Sequence, residues 1–284
     1  MQEILLDSIM DCLKQLPFLF LSYLVVEYAE HRMSGRTKDM IYRAGKAGPV
    51  IGGLIGVIPQ CGFSAAAAGL FAGGMISPGT LIAVFLSTSD EMLPIMVSEG
   101  IAAGIIGKIL LTKMAAAVVI GLAIDFALEV IRGPRKRMPE HPQMCEHHHC
   151  GCSEHGIIRS ALRHTIRIAV FLFVISVVIG FGMDWFQSGG MLQNFLSIPG
   201  IEEITAGVVG LIPNCAASVL ITKLFLEEVI GQGALFAGLL CGAGTGLLVL
   251  FRENRNMRTN FRVLITLYIC GTAAGMILGG IGVL

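Results

Sequence analysis

Residues 58–65 read IPQCGFSA, and residues 212–219 read IPNCAASV. Each stretch sets a proline, an amide and a cysteine inside an otherwise apolar segment. Pro59 and Pro213 lack the N–H of a helical residue and clash with the preceding turn, so each is expected to break a helix. The chain is 54% hydrophobic and 14% charged, with a mean hydropathy of +0.76. Soluble domains carry about 25% charged residues, so this composition predicts a polytopic membrane protein. Broken backbone at membrane depth is tolerated only against protein or water. A buried polar centre is therefore the organising feature of the expected fold.

The two stretches belong to a longer correspondence. Without gaps, and at an offset of 154 residues, Pro59 falls on Pro213, Gln60 on Asn214, Cys61 on Cys215 and Ser64 on Ser218. Gly53, Gly56, Phe71, Gly79, Ala83 and Gly121 likewise fall on Gly207, Gly210, Phe225, Gly233, Ala237 and Gly275. Apolar matches between membrane helices carry little weight. A P-[QN]-C-x-x-S match inside a long ungapped register carries much more, and it predicts an internal repeat.

The expected organisation is a first transmembrane repeat over 1–131, a polar linker over 132–166 and a second repeat over 167–284. Of twenty Lys and Arg residues, sixteen lie in three clusters, at 32–46, 132–167 and 252–262. The positive-inside rule assigns all three to the cytoplasm. The first cluster follows the opening span of repeat one, while its counterpart near 184–200 has no base. The third precedes the last span of repeat two, while its counterpart near 97–103 has Glu99 and no base. Charge thus changes sides between the halves. The predicted fold is all-α, with about ten helices in two inverted five-segment repeats and both termini outside. GPVIGGLIGVI before Pro59 is short of the ~20 residues of a span. That segment and the next form either two crossings or a re-entrant hairpin, with the same parity. The start MQEILLDSIMD is not expected to be a cleaved signal peptide, and the zero net charge argues against nucleic acid.

Helix arithmetic at about 1.5 Å per residue carries Pro59 roughly halfway through a ~30 Å hydrocarbon core. The polar run Ser87, Thr88, Ser89, Asp90 and Glu91 reaches similar depth from Thr80, as does the Gly242–Thr245 run in repeat two. The candidate translocation residues are Gln60, Cys61, Ser64, Ser87, Ser89, Asp90, Glu91, Asn214, Cys215 and Ser218. Intramembrane acids are costly and usually functional. Oxygen donors together with two thiols suit a transition metal better than an alkali ion. The blander reading of one proline break is a packing kink; two matched breaks favour a site. Lys113 and Lys223 are candidate charge partners of Asp90, with snorkelling as the alternative. Asp125 is expected as an ordinary solvated charge at a helix end, and Cys241 and Cys270 as packing residues.

Residues 141–155 read HPQMCEHHHCGCSEH. His141, Cys145, His147, His148, His149, Cys150, Cys152 and His155 form a metal-binding composition suited to Zn2+ or a similar ion, without regular finger spacing. The expected role is an accessory collector or sensor.

IPQCGFSAAA, GTL…STSDE, IPNCAASV and GTGLLVLFR resemble the ten-transmembrane-helix heavy-metal exporter family, whose members carry the labels arsenic efflux protein and manganese transporter. The resemblance covers nearly the whole chain and implies a bacterial inner-membrane permease with a cytoplasmic His/Cys linker. The first expectation is a non-enzymatic secondary transporter exporting a divalent transition metal, Mn2+ foremost, with no permanent cofactor; no phosphate-binding loop is evident. The alternatives are an arsenical permease using Cys61 and Cys215, and a membrane metal sensor. The expected partners are the metal ion and the bilayer, with a homodimer allowed. A membrane enzyme lacks support, because Asp90 has no evident second intramembrane aspartate partner and no histidine lies mid-helix.

Overall fold

A computed structural model describes residues 47–57, 61–88, 92–132 and 201–283 continuously, with single helical positions between 9 and 24 and between 162 and 177. These residues are helical, and no strand occurs among them. Repeat one holds α1 (Gly48–Gly56), α2 (Cys61–Ala72), α3 (Pro78–Ser87), α4 (Met92–Ser98) and α5 (Ala103–Arg132). Repeat two holds α6 (Glu202–Gly210), α7 (Cys215–Leu226), α8 (Gln232–Cys241), α9 (Gly246–Glu253) and α10 (Met257–Ile281). Every helix in the second set starts 154 residues after its counterpart, as in 48 to 202 and 103 to 257.

The correspondence extends to the backbone. After α2, Gly74 adopts φ 73°, its N–H bonds Phe71 O, and Met75 N–H bonds Leu70 O. After α7, Glu228 adopts φ 58°, its N–H bonds Phe225 O, and Val229 N–H bonds Leu224 O. The same left-handed C-terminal turn forms with glycine in one half and glutamate in the other.

Small residues fix the packing. Gly48, Gly52 and Gly56 recur at four-residue spacing along one face of α1 and meet Thr80, Val84 and Ser87 of α3 in that order. The absence of side chains lets the two backbones approach closely. That order also makes α1 and α3 parallel. The intervening chain, α2 with residues 73–77, must therefore return to the level at which α1 began. At 1.5 Å per residue α1 is only about 14 Å long, short of a ~30 Å hydrocarbon core. On the other side of α3, Gly79 meets Gly121 and Asp125 while Thr88 meets Lys113, so α5 runs antiparallel. Repeat two has the same arrangement: Glu203 meets Gly233, Gly210 meets Gly238, and Gly233, Ala237 and Gly271 set α8 against α10.

Four helical stretches are long and apolar enough to cross a membrane, Pro78–Ser98, Ala103–Ile131, Gln232–Glu253 and Met257–Ile281, which is the build of a membrane protein. They fall into two kinds. Pro78–Ser98 (α3–α4) and Gln232–Glu253 (α8–α9) are 73% and 83% buried within the protein, while α5 and α10 are only 11% and 22% buried. The outer pair turns Leu111, Val119, Phe126, Ile265, Ile269 and Ile277 outward. The inner pair is discontinuous, and the halves interlock around it. Helix α2 packs on α9 of the other repeat, and α7 packs reciprocally on α4.

Candidate functional site

The site is built around the two interrupted inner helices. Helix α3 begins at Ser77, whose extended backbone (φ −80°, ψ 160°) lets its Oγ accept the Thr80 N–H at 3.0 Å. Asp125 reaches across from α5. It accepts the Ser77 hydroxyl at 2.5 Å and the Gly79 N–H at 2.9 Å. The carboxylate thus sits at the positive end of the helix dipole. Asp125 is half-buried and holds the helix start, which corrects its expected role as a solvated charge. The position 154 residues later is Gly279. In repeat two the acid comes from α6 instead, with Glu202 Oε2 accepting the Gly231 N–H at 3.0 Å.

Ten residues further, about 15 Å at 1.5 Å per residue, α3 stops. Thr88 turns to φ −54°, ψ 130°, and its hydroxyl donates to Val84 O at 2.7 Å. Ser87, fully buried, donates to the same carbonyl at 3.1 Å. The Thr88 carbonyl, freed from the helix, accepts Lys113 Nζ at 2.6 Å. Lys113 is 0% exposed. Snorkelling requires the ammonium to reach water, so that reading is excluded for Lys113. A cation at the C-terminal end of α3 also complements its dipole. Lys223, by contrast, is exposed on α7.

The matching interruption in repeat two has different chemistry. Helix α8 ends at Cys241, and Ala243 N–H folds back to Cys241 O at 2.9 Å. Gly244 takes φ 53°, a left-handed conformation that suits glycine. Gly246 N–H then bonds Ala243 O at 3.2 Å and α9 begins. The position equivalent to Lys113 is the buried Leu267. Cys241 Sγ lies 3.7 Å from Tyr268 O and 3.8 Å from Thr272 Oγ1, which suits its expected packing role.

The proline-motif residues approach these interruptions from the interlocking helices. A Cβ on Gly246 would meet the Ser64 carbonyl at 2.8 Å and the Phe85 ring at 2.7 Å. Buried Ser64 of α2 thus lies against the start of α9 in the other repeat. Half-buried Ser218 of α7 places its Oγ 3.7 Å from a Cβ built on Gly242. Pro213 lies in the bend between α6 and α7, and the Asn214 carbonyl accepts the Ala217 N–H at 3.2 Å in the first turn of α7. Cys61 and Cys215 open α2 and α7. Pro59, Gln60, Ser89, Asp90 and Glu91 lie outside the described residues, as does the linker segment from His141 to His155. Among the described residues, no three His, Cys, Asp or Glu side chains gather as a metal site.

No family model matches the chain, and no curated protein or solved structure is similar to it.

Sequence reading did not single out three of these features. The Thr88 carbonyl carries no side-chain signal. The Asp125 cap joins residues 46 and 48 apart in the chain. The third is Thr245. It is 7% exposed, and its Oγ1 is buried without a hydrogen-bond partner among the described residues.

Proposed function

We propose that the protein is a secondary transporter that exports a divalent transition metal, with Mn2+ the first candidate. The observation that carries this reading is the pair of interrupted helices, α3–α4 and α8–α9, buried inside the protein and interlocked across two matching halves. Transporters of this build bind substrate between discontinuous helices near the midplane. The exchange of basic clusters between the halves supports inverted topology. In this reading each half contributes three crossings and one re-entrant hairpin, both termini lie outside, and the His/Cys linker is cytoplasmic. Asp90 and Glu91, in the interruption between α3 and α4, supply the anionic ligands. Gln60, Ser64, Ser87, Ser89, Asn214 and Ser218 supply neutral oxygens, and Cys61 and Cys215 add affinity for softer ions.

The test is uptake of Mn2+, Zn2+, Co2+, Cd2+ and arsenite into proteoliposomes across a pH gradient. Asp90→Asn should abolish metal flux or uncouple it from protons, and wild-type flux in that variant removes Asp90 from the mechanism. A second reading, arsenical export, is favoured by one feature: both cysteines occupy the first position of the helix that follows the proline bend. Cys61→Ser combined with Cys215→Ser separates the two. It should eliminate arsenite flux under the second reading and only weaken Mn2+ flux under the first.

A further inference from the structure

Thr245 sits at the start of α9, in the second interruption. Threonine at such a position normally caps the helix by accepting an amide from its first turn. Here the backbone has αR angles (φ −65°, ψ −14°) and the side chain makes no capping bond. The residue is 7% exposed, and its Oγ1 has no partner among the described residues. A hydroxyl buried without a partner is destabilising, and buried polar side chains usually find one. An unpaired hydroxyl in a protein core therefore calls for a ligand that completes it.

Its chain neighbours place Thr245 within the fold. The next residue, Gly246, is pressed against the Ser64 backbone of α2 and the Phe85 ring of α3, both from repeat one. Gly242, at the other end of the interruption, lies beside Ser218 Oγ of α7. Thr245 is thus at the contact between the repeats, on an interrupted inner helix rather than on the lipid-facing surface. In the repeat register it corresponds to Glu91, since 91 and 245 differ by 154. The same backbone position therefore bears a carboxylate in one half and a neutral hydroxyl in the other.

We infer that Thr245 is a substrate ligand: its hydroxyl oxygen completes the coordination of a divalent cation at the repeat interface, as the repeat-two counterpart of the Glu91 position. The inference rests on the transport function proposed above. It adds a neutral oxygen donor, which favours ions that prefer oxygen ligands, such as Mn2+, over softer ones, such as Cd2+. The hydroxyl has no partner among the described residues, and the substrate supplies one. This is stability given up for function.

The experiment compares wild type, Thr245→Val and Thr245→Ser in two measurements. One is thermal unfolding in detergent without added metal. The other is proteoliposome uptake of Mn2+ and Cd2+, with arsenite as control. Valine keeps the shape and removes an unsatisfied polar group, so Thr245→Val should melt no lower than wild type. The same variant should raise the half-saturation concentration for Mn2+ about three- to tenfold, the scale of one neutral polar interaction, and that for Cd2+ less. Thr245→Ser should stay close to wild type in Mn2+ uptake. Unchanged Mn2+ half-saturation in Thr245→Val, with wild-type uptake intact, overturns the inference and leaves the transport reading standing. A lowered melting temperature in Thr245→Val also overturns it, because the hydroxyl would then be bonded within the fold. If wild type moves none of the metals and no arsenite, the transport reading falls and takes this inference with it.

Discussion

The interruption after α3 and the interruption after α8 fall at matching positions and differ in chemistry. In the first, a buried ammonium, Lys113, grips the freed carbonyl of Thr88 at 2.6 Å. In the second, the position of Lys113 is Leu267, the turn is made by Gly242 and Gly244, and Thr245 presents a hydroxyl with no partner among the described residues. The helix starts differ in the same manner, with α5 supplying the capping acid in one half and α6 in the other. The helices on either side of the breaks thus start at matching positions in the two halves, while the groups beside the breaks differ.

The largest expected effect comes from forcing the halves to be alike. Leu267→Lys would bury a second ammonium at a position 0% exposed, within the apolar core. The expected loss is about 3 kcal/mol, the scale for a lysine at the centre of a membrane helix, read as a steep drop in melting temperature or in the yield of folded protein. The reverse change, Lys113→Leu, leaves the Thr88 carbonyl without this donor and should cost about 1–3 kcal/mol. If both variants melt like wild type, the electrostatic difference between the breaks has no structural role.

A smaller effect tests the shared packing. A Cβ on Gly210 would lie 2.1 Å from the Gly238 carbonyl oxygen, and one on Gly56 would lie 2.0 Å from Ser87 Oγ and 2.8 Å from Val84 O. Backbone cannot step aside, whereas a serine hydroxyl can rotate. Gly210→Ala should therefore destabilise by the larger share of the roughly 1–3 kcal/mol typical of overpacking, with Gly56→Ala behind it. Melting curves of the two variants in detergent decide the order.

The smallest effect addresses the turns that follow α2 and α7. Glu228 holds the left-handed conformation that Gly74 holds in repeat one, and it is exposed. A non-glycine residue there carries a strain of about 1–2 kcal/mol, and glycine returns part of it as unfolded-state entropy. Glu228→Gly should leave transport unchanged and raise stability by about 0.5–1 kcal/mol. Destabilisation instead would mean that the Glu228 side chain contributes a contact that outweighs its backbone strain.

Much of the architecture was legible because membrane burial imposes strong rules on sequence. Apolar composition and the ungapped 154-residue register made the helical class and the matched helix starts legible, since a repeated pattern repeats its boundaries. The polar run from Ser87 was legible as a mid-depth polar segment, and the structure shows that α3 stops there. Other features depended on which groups meet across the fold. The parallel contact of α1 with α3, which no segment length predicts, appeared only in the packing. Lys113 and Lys223 look alike in sequence, each a lone base in an apolar run, yet one is fully buried against a carbonyl and the other is exposed. Asp125 became a helix cap only because α5 runs antiparallel beside α3, and the Thr245 hydroxyl, without a partner among the described residues, is buried only by the packing around α9. Local chemistry determines where a helix breaks; the partner a side chain finds is set by long-range packing, which no local pattern encodes.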